Sequence, residues 1–216
     1  MIVYSMVFPG WQVAVGFVLL ILVHEMGHVV ANLHYGLAAS PPIFVPFLGA
    51  VILLRERPAN AKVEAVSAIA GPVAGTFGAL ACFAWYVQTR SELALLLSWF
   101  GFTINLFNLL PVPPLDGGRV AAAISPWVWI LGLAGLGAMV VDDFRHGRDF
   151  SLLMVLLLVA LPRVLAVLRG GARKGEYYNV GRAANLTIGA AYLVLLGLLA
   201  WLRWYTQGKL ELGRML

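Results

Sequence analysis

The chain has 216 residues, 61% of them hydrophobic and only 12% charged, with a mean hydropathy of +0.87. That balance excludes an ordinary soluble domain and implies a polytopic membrane protein. The formal charge of +5 resides mainly in the loops, and no basic surface interleaved with aromatics supports nucleic-acid binding.

Apolar stretches at about 11–35, 64–87, 93–110, 119–141, 150–168 and 184–204 predict an all-α protein of about six transmembrane helices. The runs at 93–110 and 150–168 are short, as expected of helices that tilt or are enclosed by other helices. With the N-terminus outside, eight Lys and Arg residues fall on the inner side against six outside, a weak preference for that orientation. The first stretch is too long, and too interrupted by ionisable groups, to read as a cleaved signal peptide.

Within that first run stand His24, Glu25, Met26, Gly27 and His28. An ionisable side chain at a bilayer centre costs about 2.5–3.5 kcal/mol on insertion scales, so three within five residues need compensation. On a helix, His24 and His28 stand one turn apart on one face, where two imidazole nitrogens can converge on a metal ion. Glu25 lies about 100° round the helix from His24, placed to serve a metal-bound water without ligating the metal.

The next segment, 41–54, is apolar but short and proline-rich, and reads as re-entrant or strand-like. Such backbone at membrane depth suits a segment that lines an active site, where an exposed edge could pair with an extended peptide; a surface loop lying on the headgroups is the equal alternative. Gly71, Pro72, Gly75 and Gly78 then open the second long span with small residues that favour close helix packing. Cys82 has no partner cysteine and reads as a small packing residue.

Asn105 and Asn108 lie three apart at the end of the third run, after which Pro111, Pro113, Pro114, Gly117 and Gly118 force a loop around Asp116. Asp116 taken alone reads as the N-cap of a helix starting near Arg119. A catalytic zinc generally takes three protein ligands, so two histidines need a third. The candidates are His34, His146, Glu56, Glu64, Asp142, Asp143 and Asp116, of which Asp116 joins an oxygen ligand to a loop between apolar segments. His34 lies near a span end, His146 in a charged loop, and Arg163 stands alone after Pro162 in the fifth run.

The two motifs together resemble the site-2 protease family of intramembrane zinc metalloproteases. That family pairs a membrane-embedded His-Glu-x-x-His with Asn-x-x-Pro-x-Pro-x-x-Asp-Gly, matched here by 24–28 and by Asn108 through Gly117. The Gly71-Pro72 segment is similar to the family's intervening helix, so the resemblance covers roughly residues 11 to 125. It implies one zinc ion per chain held by His24, His28 and Asp116. Glu25 would be the general base and proton donor, and Asn108 would position substrate or stabilise the oxyanion.

The implied substrate is a transmembrane helix of a membrane-anchored protein, cleaved in the bilayer of a prokaryotic cell membrane. The whole chain, 1–216, reads as one membrane-embedded metalloprotease domain, with the motif-bearing core at 11–125 and accessory helices at 126–216. Soluble modules common in the family have no room here. The alternative is a catalytically silent zinc-binding membrane scaffold, for which Glu25 would have no purpose. An ion transporter would show further paired acidic or histidine residues along other spans.

Overall fold

The structure, a computed structural model, describes residues 10–37, 43–45, 49–51, 58–146, 152–166, 169, 176–178 and 180–215. Its elements are α1 (Trp11–His34), β1 (Ile43–Val45), β2 (Gly49–Val51), α2 (Ala61–Thr89), α3 (Glu92–Asn108), α4 (Asp116–Ile124), α5 (Val128–Arg145), α6 (Leu152–Ala166), a 3-10 turn (Glu176–Tyr178) and α7 (Arg182–Met215). Three helices are long and apolar enough to cross a membrane: α1, α2 and the Arg182–Leu212 part of α7. The 24 residues of α1 reach about 36 Å, against a hydrocarbon core of about 30 Å. α3 and most of α6 are shorter apolar helices.

Two expectations need correction. The fourth apolar run is not one span: it is split between α4 and α5 at Ser125–Trp127. Pro126 pushes the residue before it out of the helical region, and Ser125 is extended at φ −164° and ψ 126°. Asp116 is also not an N-cap. Leu115 occupies that position without a side-chain capping bond, and Asp116 is the first helical residue of α4.

Of the 41–54 segment, the described residues form two three-residue strands paired antiparallel, with Val45 opposite Gly49 and Ile43 opposite Val51. The rest of that segment lies outside the described residues.

The chain divides into two compact units. The first comprises Met1–Arg57, Ile69–Asn108 and Leu193–Leu216. Its core joins Val13 and Leu20 of α1 to Leu97 of α3, flanked by Cys82, Leu93, Leu96 and Phe100. α1 and α3 approach closely because Gly16 faces Leu97: a Cβ at Gly16 would stand 2.5 Å from Leu97 Cδ1. Gly101 of α3 likewise faces Ala79 of α2. In α7, Tyr205 sets its ring edge-on to Phe83, and the Arg203 guanidinium lies 5.8 Å from the Trp99 ring centroid.

The second unit comprises Pro58–Ala68 and Leu109–Tyr192. Ala121 and Ala122 of α4, Trp129 of α5 and Val164 of α6 form its buried cluster. Asn60 caps α2, its Oδ1 accepting from the Val63 amide at 3.0 Å. Loop 109–115 folds tightly over the start of α4, since a Cβ on Gly117 would strike the Leu109 and Leu110 carbonyls and one on Gly118 the Val112 carbonyl. Two side chains tie this turn down: Trp129 Nε1 donates to the Gly118 carbonyl at 2.7 Å, and the Tyr192 hydroxyl to that of Leu109 at 2.5 Å.

Candidate metal centre

The buried face of α1 carries His24 (4% exposed), Glu25 (9%), His28 (6%) and Asn32 (2%) among apolar neighbours. Helical spacing brings the His24 and His28 Nε2 atoms to 3.2 Å. The remaining ring nitrogen of His24, Nδ1, lies 2.8 Å from Oδ1 of Asn105 on α3. Asn105 Nδ2 donates to the Gly101 carbonyl at 2.6 Å, which fixes which end of the amide faces the imidazole.

α2 makes room for this arrangement by leaving out side chains. A Cβ on Gly71 would overlap His28 Nε2 and stand 2.9 Å from His24 Nε2, and one on Gly75 would strike the Asn105 amide. A Cβ on Gly78 would meet Val23 and Leu20 at tight to ordinary contact. The expected close packing is therefore present, and at Gly71 and Gly75 what it admits is an imidazole pair and an amide.

In the second unit, Asp116 is 7% exposed at the start of α4. Arg119 Nη1 donates to its Oδ1 at 3.1 Å, and Arg119 Nε lies 4.0 Å from Glu64 Oε1. Glu64 Oε2 in turn accepts from the Tyr177 hydroxyl at 2.9 Å. These partners hold a carboxylate that would otherwise be costly to bury.

His24, His28 and Asp116 each offer one ligand atom, and these three atoms lie within 4.8 Å of one another, all on buried residues. Two imidazole nitrogens and a carboxylate oxygen are donors that zinc takes. Two nitrogens each bonded to one tetrahedral zinc stand roughly 3.3 Å apart, close to the observed His24–His28 separation. With glycine at position 71, no side chain from that position crowds the two Nε2 atoms. The residues present therefore fit a zinc ion.

Among the described residues, none of the other candidate ligands belongs to this group. His34 is exposed and sets its ring edge-on to Tyr35. His146 pairs with Asp142 in an exposed contact at the end of α5, and Glu64 belongs to the Arg119–Tyr177 group. Glu56 lies outside the described residues. Asn108 is half-buried on the last turn of α3, and Arg163 is exposed on α6.

Sequence reasoning singled out Asn108 and left Asn105 without a role. The available signal was an amide in an apolar run, which burial makes expensive unless it is hydrogen-bonded. Nothing local could say that its partner lay 81 residues away.

The model of peptidase family M50 matches residues 86–129, which contain the Asn108–Gly117 motif. The provisionally named zinc metalloprotease Rip3 of Mycobacterium tuberculosis is 32% identical over 153 residues, 65% of this chain and 36% of that protein. Stage IV sporulation protein FB of Bacillus subtilis is 29% identical over 106 residues, 47% of this chain and 36% of its own length. A provisionally named zinc metalloprotease of Methanocaldococcus jannaschii is 39% identical over 85 residues, 36% of this chain and 43% of that protein. The chain thus spans about 36–43% of the length of the curated relatives it matches. With the two motifs in order and a buried His-His-Asp group, the chain is similar to peptidase family M50, the site-2 protease family, over residues 86–129 and to these relatives over the stretches they share.

Proposed function

We propose that the chain is an intramembrane zinc endopeptidase that hydrolyses a peptide bond in or near a transmembrane helix of a membrane-anchored protein. The observation that carries this reading is the group of His24, His28 and Asp116, with Glu25 next to His24 on the buried face of α1. A purely structural zinc site has no use for a buried carboxylate beside its ligands, and keeping one there is costly.

His24, His28 and Asp116 would hold one zinc ion, which when bound supplies Lewis acidity toward a peptide carbonyl and toward water. Glu25 accepts the proton of the attacking water and passes it to the leaving amide nitrogen. Asn108 donates a hydrogen bond to the carbonyl oxygen as negative charge develops there. A helical substrate must first give up local backbone bonds, and the strands Ile43–Val45 and Gly49–Val51 offer replacement partners for an extended segment. α3, α5 and α6 complete about six crossings with the three long helices, in the membrane of a prokaryotic cell.

Glu25→Gln tests the reading on purified full-length protein with a membrane-anchored reporter. Cleavage should fall at least 100-fold, as for loss of a general base, while zinc content stays at the wild-type level. Undiminished cleavage would overturn the mechanism. Zinc binding with no cleavage of any membrane-anchored reporter by the wild type would favour the silent scaffold.

A further inference from the structure

We infer that Asn105 is a positioning residue that fixes the tautomer and ring orientation of His24 for metal binding. The inference rests on the zinc reading above and adds a residue to which the family motif gives no part.

The hydrogen-bond chemistry leaves one assignment. The Gly101 carbonyl can only accept, so the Asn105 group facing it at 2.6 Å is the NH2. The group facing His24 at 2.8 Å is then Oδ1, which can only accept, so His24 carries its proton on Nδ1. Nε2 is left with its lone pair, directed to the side where His28 Nε2 stands 3.2 Å away.

In a mobile imidazole the proton can occupy either nitrogen, and the Nε2–H form cannot ligate through Nε2. Partners that hold the second ring nitrogen of a ligating histidine commonly govern metal affinity.

Simple burial of a polar residue does not account for the surroundings. Asn105 is 1% exposed, and α2 carries glycine at the one point where a Cβ would strike its amide. The Gly101 carbonyl anchors the amide from within α3 itself, so its orientation does not depend on what substrate does. Asn108, one turn later, is half-buried and is left to serve substrate.

The test uses full-length protein in detergent, with zinc affinity measured by chelator competition and ring-nitrogen NMR of the metal-free protein. His24 signals are assigned by their loss in His24→Ala. The wild-type His24 ring should be protonated at Nδ1. Asn105→Leu should weaken zinc 10- to 100-fold and lose that tautomeric signature. Asn105→Asp keeps an acceptor for Nδ1–H and should recover most of the affinity.

Wild-type His24 protonated at Nε2, or Asn105→Leu with wild-type affinity, would overturn the inference, as would Asn105→Asp falling as far as Asn105→Leu. Should Asn105→Leu not fold, the wild-type spectrum and the Asp variant still decide. If the wild type binds no zinc, the zinc reading fails, while the protonation state of His24 continues to judge the role of Asn105.

Discussion

His24, Glu25 and His28 were legible as a site because their relation is local: one helical turn fixes the two imidazoles, and the apolar run around them makes chance placement expensive. Gly71 is the complementary case on α2, where the absence of a side chain matters. Gly71→Ala would put a methyl group against both Nε2 atoms. That change should abolish or strongly weaken zinc binding, with a destabilisation of about 1–3 kcal/mol from overpacking. Metal content and thermal unfolding of the variant check both halves, and wild-type zinc binding in Gly71→Ala would remove the glycine from the site. The sequence marked Gly71 only as a packing residue, since which atoms it faces depends on helices brought together in the fold.

Among the elements, the apolar runs were readable as helices, and five of the six fall on the helices α1, α2, α3, α6 and α7. The fourth run hid a break, because hydropathy averages over Ser125 and Pro126 while the backbone does not. α7 carried no motif from which to read a role. Its Tyr192 hydroxyl, buried against the Leu109 carbonyl, gives it one: it pins the loop whose end supplies Asp116. Tyr192→Phe leaves that carbonyl without its partner, at a cost of about 1–3 kcal/mol. The variant should unfold at lower temperature and hold zinc less tightly than wild type. An unchanged unfolding midpoint would show that the loop is held by Trp129 and the glycine contacts alone.

At the scale of the whole molecule, a chain that is 61% hydrophobic confines its polar candidate site to a few buried positions: His24 pairs with Asn105, Asp116 with Arg119, and His24, His28 and Asp116 form a group that could hold a metal. The proposed third ligand, Asp116, was the longest step from the sequence. His28 and Asp116 are 88 residues apart, and only the order of two motifs and a Pro- and Gly-rich loop linked them. The most direct measurement is therefore the zinc content of detergent-purified protein, wild type against Asp116→Ala. One zinc per chain in the wild type, lost or strongly weakened in the variant, is the predicted result. Zinc retained undiminished in Asp116→Ala, or none bound by the wild type under zinc-replete conditions, would contradict the three-ligand centre.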